Sequence, residues 1–476
     1  MKILVIEDDQ EFFDAEILPR LKSAAPNAEI SNARSREAAL EKITSSFSDI
    51  ILLDMKLPAV DGQMDTNEDH GVFVFHEARK HCPGTPIFIL TGSESNEFFP
   101  DLIKQAQQVD VWGSGAKLST VDYLPKRKLD AFHDRIASLS QQIEGLRDIE
   151  IRKEAKDTPY SEQEDRLLRT FVRRRGGVKA AVATLTGGLS DARVVRLQIT
   201  DDAGAPRDAA IGKLARLPLV ARETMRYTNA VSRLPAAATP RFLETLVYGA
   251  KDLGGVFYQL ADAPAEPLFS VAKNFPEIAA AAVQQVEELT ARWRDGVPES
   301  PRRISDIRRL MVDDAKAAEL WKTFDLPWAP EFESRRLQTK WCCVHGDLHG
   351  GNILVNAKGR PVLIDYNDIG DGPASLDPLT IELGFLFHPA GTKVMGAWSI
   401  SPGSADWGDE NTFFTGCEFV EALRACRAWL RRVAAGEREI AAAGYAYALR
   451  QLKFVETDKA LALQLVNSFR RQFEAA

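Results

Sequence analysis

The sequence predicts an α/β domain with a parallel sheet covered on both faces, followed by an α+β domain with a small strand-rich lobe and a larger helical lobe. Three observations predict it. Near the start of the chain, short continuous apolar runs alternate with amphipathic stretches; past Gly177, strand patterns rich in Val and Ala follow a charged connector. Beyond about Phe275 the pattern is mostly helical, interrupted by strands and turns between Cys342 and Ile364. A chain of 476 residues is too long for one ordinary core of about 100 to 200 residues, and two domains are expected.

The runs Ile3 to Ile6, Ile50 to Leu53 and Ile87 to Leu90 read as buried parallel strands, separated by helical patterns such as Arg36 to Ile43. Each ends in polar residues: Glu7-Asp8-Asp9, Asp54 and Thr91, with Lys126 after Tyr123 and Leu124 as a fourth. Reactive groups in open α/β sheets collect beyond the carboxyl ends of the strands. A phosphoryl group is held on a carboxylate only if a divalent cation neutralises the charge, and Mg²⁺ takes few carboxylates together with waters and phosphate oxygens. Glu7 and Asp8 are therefore the expected ligands beside Asp54, the nucleophile. Lys126 would pair with the phosphoryl charge and Thr91 would hydrogen-bond it. Alone, each fits a solvated loop or a helix N-terminus; their joint order carries the reading.

The four motifs are Ile-Glu-Asp-Asp, Leu-Leu-Asp-Met-Lys-Leu-Pro-Ala-Val-Asp-Gly, Ile-Leu-Thr-Gly and Asp-Tyr-Leu-Pro-Lys. On them the segment from Met1 to about Ile136 resembles the response-regulator receiver family. The resemblance implies a five-stranded flavodoxin-like fold, phosphorylation of Asp54 with an upstream sensor histidine kinase as partner, and a switch through Thr91, Tyr123 and Lys126. Three features depart from the family pattern: Lys126 is preceded rather than followed by Pro, a polar insertion covers Gln63 to His70, and an extended stretch runs from Val111 to Thr120.

From about Ser138 to Arg175 the chain is polar and charged. Ser161 and Glu164 form a capping-box pattern opening a helix through Leu168 and Phe171. Arg173-Arg174-Arg175 at its end reads as a solvated helix terminus, where cations suit the macrodipole. The expected division is a receiver over 1–137, a helical linker over 138–175 and a phosphotransferase domain over 176–476, its small lobe about 176–262 and its large lobe about 263–476.

Within Val344 to Leu354, His345-Gly346-Asp347 followed by Asn352 carries the strongest chemical signal. Phosphoryl transfer from ATP needs a base for the attacking hydroxyl, metal ligands at the phosphates and cationic donors for the spreading charge. Asp347 suits the base and Asn352 a Mg²⁺ ligand. Val362-Leu363-Ile364-Asp365 then ends a strand in a second acid, after the turn Asn356 to Gly359. Taken singly, these residues are ordinary turn and strand-end residues. Together with Leu363 to Asp368, Gly372-Pro373 and Asp377, they resemble the aminoglycoside phosphotransferase and choline kinase-like family, specifically over about Cys342 to Leu386. The resemblance implies a bilobal protein-kinase-like fold with ATP between the lobes. No long segment separates Asp365 from the helical run Leu379 to Phe387, which favours a hydroxyl-bearing small molecule over a protein acceptor.

In the small lobe, the Gly187-Gly188-Leu189-Ser190 turn either lays backbone N–H groups on phosphates or makes a plain hairpin. Lys213 is the candidate lysine for the α- and β-phosphates, with Glu223 as its ion-pair partner. Gln259 and Ala261 lie where backbone groups would meet adenine. Trp398, Trp407 and Glu410 are candidate neighbours of the acceptor, or core.

A net charge of -8 argues against nucleic acid as a general partner. Five cysteines without a Cys-x-x-Cys pair fit reduced thiols rather than a disulfide framework or a zinc site. The sequence opens without a signal-peptide pattern and has no run long enough to span a bilayer, so the cytoplasm is expected and no membrane. Two functions follow: a receiver-regulated, ATP-dependent phosphotransferase acting on an alcohol, or a catalytically silent nucleotide-binding signalling module under the receiver's control. The intact Asp347, Asn352 and Asp365 favour the enzyme.

Overall fold

Apolar runs at the start of the chain build a five-stranded, all-parallel sheet in a computed structural model that describes residues 1–91, 106–126, 129–154, 158–185, 192–259, 265–396, 398 and 406–476. Its strands are β1 (Lys2–Ile6), β2 (Glu29–Ala33), β3 (Ile50–Asp54), β4 (Ile87–Thr91) and β5 (Val121–Pro125). Their order is β2-β1-β3-β4-β5, the doubly wound flavodoxin-like arrangement. Alternate residues of β1 and β3 feed separate cores on the two faces, Ile3, Val5, Ile50 and Leu52 on one and Leu4, Ile6, Ile51 and Leu53 on the other. That is why these strands read as continuous apolar runs. The polar insertion is closed by a Leu57–Asn67 bridge, and His70 Nδ1 lies 2.8 Å from the Leu57 carbonyl. The stretch Val111 to Thr120 includes one strand of a short hairpin, Gln108–Val109 with Leu118–Ser119, and buries Trp112 completely.

A six-stranded sheet follows, with β6 (Glu150–Lys153), β7 (Lys179–Thr184), β8 (Arg193–Thr200), β9 (Pro206–Arg216), β10 (Phe242–Leu246) and β11 (Leu253–Gln259). Its order is β10-β11-β9-β8-β7-β6, antiparallel except for β6 on β7. The helix Glu162–Arg174 opens with the expected capping box and lays Leu167, Leu168, Phe171 and Val172 on this sheet. Phe171 stacks on Phe257 at 3.8 Å between ring centroids. The stretch 138–175 is thus no plain connector: it holds the end of helix Leu129–Glu144, the edge strand β6 and a core-forming helix. Nor is the basic triplet a solvated helix end. Arg173 donates to the Gln142 carbonyl at 2.7 Å, Arg174 pairs with Glu244 at 2.7 Å and Arg175 with Asp208 at 2.6 Å.

The chain divides into two compact units, Met1–Thr224 with Phe242–Leu260, and Met225–Arg241 with Ala261–Ala476. The parallel sheet and the six-stranded sheet both belong to the first. Within it Gly84 N–H donates to the Lys251 carbonyl and Gly249 N–H to the Gly84 carbonyl, each at 2.8 Å. Gly249 has φ +85°, and a Cβ there would lie 3.0 Å from Val111 Cγ1 and 3.3 Å from Trp112 Nε1. Arg166 on the Glu162–Arg174 helix reaches the fully buried Asp49 at 3.0 Å.

The second unit is mainly helical around one large core, with two three-stranded sheets. One contains β12 (Ala265–Pro267), β15 (Ile353–Asn356) and β16 (Pro361–Leu363); the other contains β13 (Glu299–Arg303), β14 (Arg336–Val344) and β17 (Gly370–Pro373). Trp398 and Trp407 are core residues 1% and 4% exposed, not acceptor contacts: Trp398 Nε1 donates to the Phe413 carbonyl and Trp407 Nε1 to Glu382. Glu410 is spent on Arg431 at 2.6 Å. All five cysteines are free thiols. Among the described residues no helix is long and apolar enough to cross a membrane.

Candidate functional site

At the carboxyl edge of the parallel sheet, β1 delivers Glu7 and Asp8, β3 delivers Asp54 and β5 delivers Lys126. Glu7, Asp8 and Asp54 each place a carboxylate oxygen within 4.8 Å of the others. Lys126 Nζ lies 2.8 Å from Glu7 Oε2 and 3.0 Å from Asp54 Oδ2, above the Phe12 ring. Burial first, and then the charge of Asp54, pushes the Glu7 carboxyl up to about 7 and raises Asp8 as well. Burial alone would lower Lys126; the Asp54 and Glu7 carboxylates outweigh it and hold Lys126 above its ordinary value. Three crowded carboxylates against one ammonium leave an excess of negative charge. This donor set suits a hard divalent cation such as Mg²⁺. Thr91 ends β4 at the same edge, but its side chain lies outside the described residues. Tyr123 on β5 is 46% exposed.

In the second unit, β14 ends in Val344 and the chain turns through the His345–Asn352 loop into β15. Several bonds fix this loop. Asp377, 2% exposed on the helix Leu376–Phe387, accepts His345 N–H at 2.8 Å and Gly346 N–H at 3.0 Å. Gly346 has φ +84°, and a Cβ there would meet the Asp368 carbonyl oxygen at 2.3 Å, so only glycine fits. His345 Nε2 lies 3.0 Å from the Ile364 carbonyl. Asn352 Nδ2 donates to the Asp347 carbonyl at 2.9 Å, and Ile364 N–H donates to the Asn352 carbonyl at 3.0 Å. These contacts bring together the three residues singled out from sequence. Asp365 follows β16 with φ +62°, a left-handed conformation rare for a residue with a Cβ and one that functional sites retain.

The Asp347 carboxylate has two neighbours to which sequence assigned no role. Arg450 Nη1, from the helix Glu437–Gln451, lies 3.0 Å from Oδ1; His349 Nε2 lies 3.7 Å from Oδ2. Gly351 N–H donates to His349 Nδ1 at 3.1 Å, which puts the ring proton on Nε2, facing Asp347. Burial pushes His349 down to about 4, against the pull of Asp347, so the ring is neutral at physiological pH. His388 packs on it at 4.2 Å between centroids, and Phe269 at 6.1 Å. Asp377, noted in the motif, caps the loop backbone; burial raises its carboxyl above the ordinary value. Arg450 is separated from Asp347 by 103 positions within an alanine-rich helix. No local signal marks it.

In the first unit, Lys213 on β9 pairs with Glu223 on the helix Leu217–Asn229 at 3.1 Å, as expected. Tyr258 O–H also donates to Glu223, at 2.7 Å. Gln259 ends β11 opposite Ala210. Gly187, Gly188, Ser190 and Ala261 lie outside the described residues.

A flavodoxin-like fold of the receiver type, with an acidic cluster at its carboxyl edge, is followed by a kinase-like domain with mixed sheets. The sequence model of the phosphotransferase enzyme family matches residues 146–398, more than half of the chain, and the chain belongs to that family. No curated protein matches it. Among solved structures, a CheY-like receiver domain protein from Methanospirillum hungatei is 22% identical, covering 30% of this chain and 97% of its own, with a TM-score of 0.21. An aminoglycoside-3'-phosphotransferase of type VIII is 16% identical, covering 62% and 99%, with a TM-score of 0.37. A thermostable aminoglycoside phosphotransferase in ternary complex with ADP and hygromycin B is 13% identical, covering 63% and 97%, with a TM-score of 0.35.

Proposed function

We propose that this protein is a cytoplasmic two-component signalling enzyme. Its receiver, over 1–137, accepts a phosphoryl group on Asp54 from an upstream sensor histidine kinase and regulates an ATP-dependent phosphotransferase acting on the hydroxyl of a small molecule. The observation that carries the enzymatic reading is the His345–Asn352 loop, whose bonds hold Asp347, Asn352 and the approach to Asp365 as one unit.

In the receiver, Asp54 attacks the phosphorus of the donor and the donor's imidazole leaves. Lys126, already within 3.0 Å of Asp54, offsets the charge on the product. Glu7, Asp8 and Asp54 would hold Mg²⁺, which supplies charge neutralisation at the phosphoryl oxygens. In the phosphotransferase, the acceptor hydroxyl donates to Asp347 and gives up its proton there as its oxygen bonds to the γ-phosphorus; the bond to the β-phosphate oxygen breaks and ADP departs. His349 packs beside the base with its Nε2 turned toward Asp347 Oδ2 at 3.7 Å, and restricts where that carboxylate can swing. Asn352 and Asp365 would hold the Mg²⁺ that screens the phosphates. Lys213, oriented by Glu223, offers the α- and β-phosphates a cation, and Gly187, Gly188 and Ser190 are proposed to contribute to phosphate binding. Gln259 and Ala261 are proposed to meet adenine.

Regulation is supported by the packing inside the first unit, where Val111 and Trp112 of the receiver meet Gly249 of the six-stranded sheet's β10–β11 connection. The test compares ADP release by the full chain and by Asp347→Asn in a metabolite extract, each with and without a small acyl phosphate. Release that depends on Asp347 and changes with the phosphodonor is expected. Equal background release throughout contradicts the proposal.

A further inference from the structure

We infer that Arg450 selects an anionic acceptor: a small polyol or hydroxy acid carrying a carboxylate or phosphate beside the hydroxyl that is phosphorylated. This rests on the phosphotransferase reading above and names the substrate class of the same site.

Arg450 sits in the last turn of the helix Glu437–Gln451, largely buried, with its guanidinium beside the base. A guanidinium has five N–H donors in a planar fork. Arg450 spends one nitrogen on Asp347 Oδ1, lies over the Phe454 ring at 5.7 Å and feels the more distant Asp368 carboxylate; its other nitrogens make no hydrogen bond among the described residues. The buried arginines elsewhere in this unit are used more fully. Arg308 reaches Glu333, Asp314 and the Val312 carbonyl, and Arg427 reaches Glu382 and the Trp407 carbonyl. A partly buried fork with spare donors suits the two oxygens of a carboxylate or phosphate.

The charge balance points the same way. A pocket for a polycation leaves carboxylates free to receive it. Here the carboxylate at the reacting position already has a protein cation on Oδ1, which leaves Oδ2, beside His349, for an acceptor's hydroxyl. An ammonium on the acceptor would face Arg450 and be repelled. A carboxylate or phosphate on a neighbouring carbon would take the spare guanidinium donors and leave the hydroxyl directed at Asp347.

The probes are gluconate and glucamine, six-carbon polyols that differ in a terminal carboxylate or ammonium, and their binding to the full chain is read by saturation-transfer NMR without nucleotide. Gluconate is expected to bind at least ~10-fold more tightly, as a charge-assisted bidentate contact gives. Arg450→Gln should remove the preference and Arg450→Lys keep part of it, with urea midpoints confirming that both variants fold. Asp347→Asn, which releases the guanidinium, should tighten gluconate further, a response that a purely structural arginine would not give. Glucamine binding as well as gluconate, an unchanged preference in Arg450→Gln, or no binding of either polyol would overturn the inference. Because binding is read without turnover, loss of γ-phosphate transfer would count against the phosphotransferase reading alone.

Discussion

Replacing Glu7 with Gln should make the metal-free protein more stable at pH 8, although Glu7 is wholly buried and paired with Lys126. Burial and the Asp54 charge carry its carboxyl from 4.5 to about 7 in the folded chain. An acid raised on folding contributes its full stability below its unfolded value and loses it as pH rises through the folded value. The window therefore runs from pH 4.5 to about 7. Above it, at ~1.4 kcal/mol per pH unit, the ionised side chain costs about 3 kcal/mol. Glutamine keeps the shape and removes the charge, so Glu7→Gln should gain up to about 3 kcal/mol at pH 8 in EDTA and almost nothing at pH 4.5. Mg²⁺ competes with the proton, and should stabilise the unaltered chain at pH 8 much more than the variant. Denaturant-dependent hydrogen exchange on peptides covering Lys2–Ile6 and Ile50–Asp54 isolates the receiver within the full chain. A variant less stable at pH 8 in EDTA, or equal stabilisation of both proteins by Mg²⁺, refutes the reasoning.

Three further outcomes are expected. Asp377→Ala strips two buried N–H groups of their acceptor, at about 1–3 kcal/mol each, and should lower both the urea midpoint and ADP release. Arg427→Met leaves Glu382 charged and unpaired in the core and should cost about 3–5 kcal/mol in urea unfolding; adding Glu382→Leu should restore part of it. Lys213→Met should weaken ATP binding about tenfold or more, the worth of a charge-assisted contact, while Asn352→Ala weakens the dependence on Mg²⁺ instead, both read by nucleotide titration at several Mg²⁺ concentrations.

The parallel sheet was legible because β1, β3 and β4 are apolar on both faces and each ends in a polar residue at the carboxyl edge, so one local pattern reports both the fold and the candidate site. The same holds for His345 to Asn352 and for Asp365, where chemistry and turn coincide in a short stretch. Lys213 and Glu223 could be paired because β9 leads directly into the next helix. Arg450 was not legible: an arginine on a helix otherwise reads as solvated, and only the tertiary fold brings it to Asp347. The basic triplet misled for the opposite reason, since its partners Gln142, Glu244 and Asp208 lie far away in sequence. Sequence left Trp398 and Trp407 open between neighbours of the acceptor and core, and their burial, with indole N–H groups bonded to Phe413 and Glu382, makes them core.

The most direct measurement follows the γ-phosphate. Full chain supplied with Mg²⁺, γ-labelled ATP and a metabolite extract should move label into a low-mass, acid-stable ester, and Asp347→Asn should fall by about two to four orders of magnitude, the range of general base catalysis. Label that stays in ATP and free phosphate, or an ester formed equally by Asp347→Asn, would contradict the account.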